Sequence, residues 1–254
     1  MENIPKLHAV HRLYQYRKSI STKPFAARGK SLVRCPYCLL SVAYCTCEHR
    51  KALQSNASFM LIMYDDEVLK PTNSGRLIAD LVPNTSAFLW SRTEPDQNML
   101  ALLNNPQYQA YLVFPSDYAF TEQKVIHQIS ERDGNKKPLF VLLDGSWRQA
   151  VKMFRKSPYL HQLPMLSFDE SLVARYALRK GKRDFQLGTA EVAALVLEAL
   201  GEHKNAAAFN AWFDLFIDSS LLGRNRKTQL QANDRQILIA QFNELWDSAH
   251  KKVC

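Results

Sequence analysis

Short apolar blocks separated by polar turns run through residues 58–168, and this pattern predicts a series of buried strands. Each block is too short for a buried helix and stops at proline, glycine or charged residues, which favours a strand. The five predicted strands are Ser58–Tyr64, Thr85–Ser91, Ala110–Phe114, Leu139–Leu143 and Leu163–Phe168.

Apolar residues with helical spacing lie between these strands and dominate the chain after Thr189. The predicted helices are Leu77–Leu81, Met99–Leu103, Glu122–Ile129, a segment from Trp147 to about Lys156, Glu191–Leu200, Ala206–Leu222 and Asp234–Lys252. Strands that alternate with single helices predict an α/β fold, in which a mostly parallel sheet carries helices on both faces.

The predicted strand Leu139–Leu143 ends abruptly in Asp144-Gly145-Ser146-Trp147, where a helix begins. In open α/β folds, ligands bind at this carboxyl edge of the sheet. Other polar turns follow predicted strands or open a helix, and a parallel sheet would gather them at one edge. They are Asn73-Ser74-Gly75, Phe114-Pro115-Ser116, and Leu187-Gly188-Thr189, in which Thr189 is placed to cap the following helix.

Structural roles alone also fit the turn at Asp144. Asp144 or Ser146 could cap the helix, and Trp147 could pack in the core with Val151 and Phe154 behind it. The chain has no G-x-G-x-x-G after a strand and no P-loop, so neither a classical dinucleotide site nor a nucleotide-phosphate loop is indicated. A cofactor here would be held by backbone groups of several turns.

Charge favours a polyanionic partner, because the formal net charge is +9 and the pI is about 9.3. Residues 1–34 hold eight Lys or Arg and a single acidic residue, a composition that suits either a solvated tail or a grip on nucleic-acid backbone. Two further basic patches flank the polar turns. The residues expected to contact RNA are Arg17, Lys18, Arg28, Arg148, Lys152, Arg155, Arg179 and Lys180.

Four of the five cysteines fall at Cys35, Cys38, Cys45 and Cys47. Two residues between Cys35 and Cys38 let both thiolates reach one tetrahedral ion, and four thiolates with no open position suit structural zinc. His49 could replace one cysteine. The chain has no run of about 18 apolar residues and no signal-peptide pattern, so a reducing, cytoplasmic location is expected.

Together these motifs resemble the DTW-domain family of tRNA-uridine aminocarboxypropyltransferases. The resemblance extends over about residues 20–220 and rests on the D-x-[ST]-W signature at Asp144–Trp147, the cysteine cluster and five further motifs in order. These are Lys70-Pro-Thr-Asn-Ser-Gly-Arg76, Trp90-Ser-Arg-Thr-Glu-Pro95, Val113-Phe-Pro-Ser116, Lys152-Met-Phe-Arg-Lys-Ser-Pro158 and Thr189-Ala-Glu191. Ser146 departs from the commoner threonine but keeps the hydroxyl.

The resemblance implies transfer of the 3-amino-3-carboxypropyl group of S-adenosylmethionine to the imide nitrogen of a uridine in the tRNA variable loop. Methylthioadenosine is the other product. It also implies a SPOUT-like fold with a knotted cofactor-binding region. We therefore expect a basic arm and zinc segment over residues 1–56, and an S-adenosylmethionine-binding domain with a helical C-terminus over residues 57–254. The oligomeric state stays open, with a monomer favoured.

The resemblance also implies roles for the residues at the turns. Asp144 is expected to act as general base or as an anchor for the substrate amine, and Ser146 to hydrogen-bond cofactor or uracil. The expected cofactor pocket comprises Asn73, Gly75, Arg76, Phe114, Pro115, Ser116, Leu142, Trp147, Leu187, Gly188 and Thr189. In this pocket, Arg76 is expected to pair with the cofactor carboxylate through two hydrogen bonds. Two other functions fit the sequence: a SPOUT-type RNA methyltransferase and a non-catalytic zinc RNA-binding protein.

Overall fold

A single sheet of six parallel strands organises the described part of the protein. The computed structural model describes residues 6–23, 32–129, 135–169, 173, 187–224 and 232–251. The strands are β1 (Ser58–Met63), β2 (Thr85–Leu89), β3 (Tyr108–Val113), β4 (Val125–Ile126), β5 (Lys137–Asp144) and β6 (Met165–Leu166), in the order β2-β1-β5-β3-β6-β4. Every pairing is parallel. The predicted α/β class with a mostly parallel sheet is therefore confirmed.

Helices cover both faces of this sheet. They are α1 (Ala9–Ser19), α2 (Arg76–Leu81), α3 (Gln97–Leu103), α4 (Trp147–Arg155), α5 (Pro158–His161), α6 (Thr189–Ala199), α7 (His203–Gly223) and α8 (Ala232–His250). Side chains alternate along β5, so Phe140 and Leu142 share a core with α2, α6 and α7. Leu139, Val141 and Leu143 share a second core with α3, α4 and α5. Among the described residues, no helix is both long and apolar enough to cross a membrane.

The helix predicted at Glu122–Ile129 is wrong. This segment is a turn followed by β4, which pairs with β6 at the edge of the sheet. The Gln123 side chain donates to the carbonyl oxygens of Leu160 and Leu163, at 3.1 and 2.9 Å, and holds the turn in place. Tertiary pairing of a short β-branched segment therefore overrides its local helical spacing.

The basic arm, where the structure describes it, is not a solvated tail. Val10 and His11 of α1 are buried, and His8 Nε2 lies 3.0 Å from Asp80 Oδ1. Burial is the main cause that lowers the pKa of His11 to about 3, so this imidazole stays neutral at physiological pH. Cys35 and Cys38 belong to the same core as α6 and α7. The division of the chain at residue 56 stays a prediction, as does the knotted, SPOUT-like region.

The connections of the two central strands create a crevice at the carboxyl edge. From β1 the chain passes through α2 to β2 on one side, whereas from β5 it passes through α4 and α5 to β6 on the other side. Strands β1 and β5 are neighbours, in the register Met63 to Asp144. Ligands in open α/β sheets bind at such a reversal of strand order. The loops after Met63 and Asp144 are therefore the expected place of a ligand site in this fold.

Candidate active site at the carboxyl edge of the sheet

The last residue of β5, Asp144, is a carboxylate enclosed by two distant turns. Its side chain is buried, with 3% of the residue exposed. Oδ1 accepts a hydrogen bond from the Thr189 hydroxyl at 2.5 Å, and Oδ2 accepts one from Asn73 Nδ2 at 2.6 Å. Because even-numbered residues of β5 face the core that contains α6, the strand itself aims Asp144 at Thr189.

Burial is the main cause that raises the pKa of Asp144 to about 6. The charge of Glu67 raises it further, while the hydrogen bonds from Thr189 and Asn73 and the charge of Arg76 lower it. At neutral pH the carboxylate is mostly ionised, yet it is a stronger base than an exposed aspartate. This is the protonation behaviour that a general base near neutral pH requires.

The turn Asn73-Ser74-Gly75 forms one wall around this carboxylate. Asn73 Oδ1 accepts a hydrogen bond from the Arg76 backbone N–H at 3.0 Å, which orients the amide toward Asp144. A Cβ at Gly75 would lie 2.5 Å from Asp144 Oδ2, so only glycine allows the backbone to come this close. Asn73 Nδ2 also lies 3.4 Å from Glu67 Oε1.

Glu67 is a further member of this network, and it was not predicted from the sequence. It lies in the loop after β1, and its Oε2 accepts a 2.7 Å hydrogen bond from Lys70 Nζ. The signal was present in the sequence, because Asp65-Asp66-Glu67 directly follows a buried strand adjacent to β5. Strand order, which the sequence did not reveal, was needed to connect the two loops.

The second wall is the start of α6, where the predicted cap is wrong. Gly188, not Thr189, is the N-cap residue, and its N–H donates to Glu191 Oε2 at 2.8 Å. Thr189 lies one residue inside the helix, and its hydroxyl binds Asp144 instead of the helix backbone. Leu187, Gly188 and Thr189 are all partly exposed, so this turn can still be reached by a ligand.

At the other side of Asp144, Ser146 is the N-cap of α4. The Ser146 N–H donates to Gln149 Oε1 at 2.8 Å, and this bond is part of a capping box at the start of α4. The buried Asp144 is not the cap, which leaves its carboxylate for other contacts. Ser146 is exposed, and Leu142, two residues before Asp144, is buried in the core.

Trp147 begins α4 and does not pack inside the core as the structural interpretation of the sequence suggested. Trp147 is 41% exposed, and one face of its indole stacks on Phe114 with ring centroids 5.5 Å apart and planes 7° apart. Phe114 itself is buried, whereas the following Pro115 is exposed. The Ser116 N–H donates to Ser167 Oγ at 2.9 Å, which fixes the end of β3 against β6.

Arg76 is buried, and the partners of its guanidinium are backbone carbonyl groups. Its guanidinium donates to the carbonyl oxygens of Tyr37 and Val68, at 3.1 and 3.2 Å, and burial lowers its pKa. Arg76 therefore ties the turn that touches Asp144 to the loop that carries the cysteines. Pairing of Arg76 with a cofactor carboxylate stays a prediction, and two of its nitrogens have protein partners in this conformation.

The residues predicted to contact RNA differ in their exposure and in their partners within the protein. Arg148, Lys152 and Arg155 lie exposed along α4, and Lys152 Nζ donates to the Tyr64 hydroxyl at 3.1 Å. Arg17 makes a two-pronged ion pair with Asp65, at 2.7 and 2.9 Å, while Lys18 is exposed. Arg28, Arg179 and Lys180 lie outside the described residues.

The four cysteines meet in a compact cluster. Their sulfur atoms all lie within 4.8 Å of one another, and the pairs Cys35–Cys47 and Cys38–Cys45 are each 3.7 Å apart. Tetrahedral zinc with bonds of about 2.3 Å places its sulfurs ~3.8 Å apart, whereas a disulfide requires about 2.05 Å. The cluster therefore fits a metal ion and not a pair of disulfides. His49, the alternative ligand, lies 3.1 Å from Glu48 through its Nε2.

Backbone hydrogen bonds constrain the segment that carries the first two cysteines. Leu39 adopts a positive φ of 60°, the single such non-glycine residue that the described segments contain. Its N–H donates to the Cys35 carbonyl at 3.0 Å, and the Cys35 N–H donates to the Leu40 carbonyl at 2.8 Å. These bonds close a tight turn that directs Cys35 and Cys38 to one point.

Comparison with known proteins identifies the family of the chain. No solved structure matches the chain significantly. The family model of the DTW domain matches residues 32–221, which include the cysteine cluster, the sheet, and the Asn73, Asp144 and Thr189 turns. Because this match spans well over half of the sequence, the chain belongs to the DTW-domain family, the family of the tRNA-uridine aminocarboxypropyltransferase TapT.

Proposed function

We propose that this protein is a tRNA-uridine aminocarboxypropyltransferase. It transfers the 3-amino-3-carboxypropyl group of S-adenosylmethionine to the ring imide nitrogen of a uridine in the tRNA variable loop, in the cytoplasm. The observation that carries this proposal is the buried Asp144 carboxylate, held by Asn73 and Thr189 at the strand reversal of a DTW-domain sheet. The basic residues of α4, next to this site, support a tRNA substrate.

The carboxylate suits the proposed co-substrate in charge. Asp144 is buried, and both hydrogen bonds described for it come from neutral donors. A buried anion with neutral partners favours a cationic ligand, and S-adenosylmethionine carries a sulfonium and an ammonium group. The turns at Asn73–Gly75, Phe114–Ser116 and Leu187–Thr189 would hold it through backbone groups and the Thr189 hydroxyl, beside the Leu142 end of β5.

In the proposed reaction, Asp144 accepts the imide proton of uracil through one carboxylate oxygen. The imide nitrogen then forms a bond to the carbon next to sulfur, and the carbon–sulfur bond breaks so that methylthioadenosine leaves with the electron pair. A pKa near 6 lets Asp144 take up this proton when uracil lies within hydrogen-bond reach. Asn73 and Thr189 hold the carboxylate in position, which is chiefly catalysis by orientation. Ser146, exposed beside it, would bond uracil.

We also propose that the cysteine cluster holds structural zinc. Four thiolates would close the coordination shell, so the metal would take no part in the transfer. Its contribution would be to fix the loop over residues 35–47, onto which the buried Arg76 donates. Exposed Lys18 and the basic residues of α4 would then contact tRNA phosphates from either side of the site.

The decisive experiment identifies the small-molecule product. Purified protein is incubated with S-adenosylmethionine and an unmodified tRNA transcript, and the products are separated by liquid chromatography and mass spectrometry. Methylthioadenosine and 3-(3-amino-3-carboxypropyl)uridine are the expected products. S-adenosylhomocysteine with a methylated nucleoside would replace this proposal by an RNA methyltransferase. Binding of tRNA without binding of S-adenosylmethionine would favour a non-catalytic zinc RNA-binding protein.

Substitution of Asp144 separates base from anchor. If Asp144 is the base, Asp144→Asn binds S-adenosylmethionine with nearly unchanged affinity and loses turnover. If it anchors the substrate amine, the same variant loses affinity for the co-substrate as well. Isothermal titration calorimetry with S-adenosylmethionine, combined with single-turnover rates, distinguishes the two roles.

A further inference from the structure

The outer face of Trp147 has no role in the proposed transfer. Trp147 is 41% exposed, although the inner face of its indole is stacked on Phe114 and the ring of Tyr118 lies nearly perpendicular to it, with centroids 5.5 Å apart. Phe114 is fixed in turn by Phe154, at a centroid distance of 5.3 Å. The position at the start of α4 and this aromatic support hold the plane of Trp147 rigidly, with one face open.

The protein surface around the open face of Trp147 is positively charged. Trp147, Tyr118 and Val151 line a depression of about 560 Å³ together with four basic side chains, and no acidic residue is among its lining. The basic members are Arg148, Lys152, Arg155 and Lys156. The Arg155 guanidinium lies 6.0 Å above the Tyr118 ring. A flat apolar surface inside a ring of cations is the combination that binds a nucleobase with its phosphates.

Charge separates this surface from the proposed co-substrate site. S-adenosylmethionine carries a sulfonium and an ammonium group, so four neighbouring cations would disfavour it. The buried carboxylate of Asp144 lies three residues earlier in the chain, a separation that the backbone can span over at most about 11 Å. A base stacked on Trp147 would therefore lie beside the reacting centre without entering the cofactor site.

We propose that Trp147 is a stacking platform for the RNA base that neighbours the reacting uridine, with Arg148, Lys152 and Arg155 on its phosphates. This inference rests on the proposed function in so far as the ligand is tRNA. Stacking on Trp147 holds the strand in an unpaired conformation, so that the uridine is presented to Asp144. Trp147 is then a positioning residue, and not part of the wall around S-adenosylmethionine.

The test measures binding and needs no turnover, so it stays informative if the transferred group proves to be different. A fluorescein-labelled single-stranded RNA nonamer is titrated into zinc-loaded full-length protein, and the affinity is read from anisotropy. Stacking on an aromatic residue contributes about 1–3 kcal/mol per base, so Trp147→Leu should weaken binding ~5- to 100-fold. Trp147→Phe should retain most of the affinity.

Salt dependence and a matched tryptophan provide the controls. Trp147→Leu should leave the slope of log affinity against log salt unchanged, whereas Lys152→Gln should reduce it. Trp246→Leu should bind RNA like the wild type, because the Trp246 ring already has partners within the protein: His250 stacks on it with ring centroids 3.9 Å apart, and Lys51 Nζ lies 4.8 Å from its centroid. Circular dichroism verifies that each variant is folded.

Two results would overturn the inference. One is an unchanged affinity of Trp147→Leu for the nonamer. The other is a loss of S-adenosylmethionine affinity in Trp147→Leu, measured by calorimetry without RNA, which would return Trp147 to the cofactor wall. Failure of the proposed function would give a different result. A protein that released S-adenosylhomocysteine would not be an aminocarboxypropyltransferase, but its Trp147→Leu variant would still bind RNA more weakly.

Discussion

The cysteine cluster and the Asp144 site place ionisable groups against the same side of the sheet. The cysteines come from thirteen consecutive residues, 35–47, whereas Asp144 meets partners that are 71 and 45 residues away along the chain. Four crowded thiolates would need a cation to neutralise them, and binding of such a cation would stabilise the fold. The carboxylate has neutral donors and a raised pKa, so its ionisation costs stability. The chain thus contains one ionisable cluster that would stabilise the fold when it binds a cation, and one buried carboxylate whose ionisation opposes folding.

The largest effect that tests this contrast is expected from Asp144→Asn. Loss of the base should lower turnover about 10²- to 10⁴-fold. The same substitution should raise the free energy of unfolding at pH 8, because the pKa of the folded state lies about two units above 3.8, which corresponds to roughly 3 kcal/mol at most. Urea unfolding and single-turnover rates measure the two quantities. A variant less stable than wild type at pH 8 would show that Asp144 supports the fold.

Removal of the metal should act in the opposite direction. Cys38→Ser, or chelation of the wild-type protein, should lower the free energy of unfolding by several kcal/mol, because the stabilisation that metal binding gives to the folded state would be lost. Atomic absorption should find one zinc per chain, and thermal unfolding with and without chelator measures the stabilisation. Cys254→Ser is the control and should keep its zinc. A metal-free protein with an unchanged melting temperature would contradict a structural role.

Gly75→Ala tests how closely the distant turns meet. The new Cβ would lie 2.5 Å from Asp144 Oδ2, so the turn or the carboxylate must move, at a cost of about 1–3 kcal/mol. The control is the double variant Gly75→Ala, Asp144→Ala, in which the clashing carboxylate is gone and the alanine at 75 should cost much less. A cost that is equal in both backgrounds would place the strain elsewhere.

The smallest predicted effect is a shift in the pH dependence of turnover. The rate should rise with pH through a midpoint near 6 and then level off, because only ionised Asp144 can accept a proton. The Thr189 hydrogen bond lowers this pKa, so Thr189→Val should move the midpoint upward. Rates between pH 4.5 and 8.5 provide the measurement, and a midpoint that moves downward would contradict the assigned effect of Thr189.

The fold and much of the site could be predicted where the information is local. The hydrophobic periodicity predicted β5, the helix after it and the Asp144 turn between them. This was possible because a short apolar block and the helical spacing that follows it involve only neighbouring residues. Cysteine spacing found the cluster for the same reason. The helix prediction for segment 122–129 was wrong, because its strand β4 forms by pairing with β6. Met165, the first residue of β6, lies 39 residues after Ile126, the last residue of β4.

The arrangement of the side chains was not readable from local pattern. Thr189 looked like a helix cap, yet its hydroxyl goes to Asp144, and Arg76 looked available for a carboxylate, yet it binds the carbonyls of Tyr37 and Val68. Trp147 looked like a core residue, yet one face is open. Each outcome depends on which neighbour the sheet supplies, and strand order decides that.

By itself, the sequence determined the α/β class, the four-cysteine cluster, the basic character and the turns that carry polar groups. Only the tertiary structure decided that β1 and β5 are adjacent, and that their loops meet the start of α6 around one buried carboxylate. The physical reason is that the pKa of Asp144 depends on desolvation and on donors from remote segments. Residue type supplies the acid, and its burial among distant turns raises its pKa toward neutral pH.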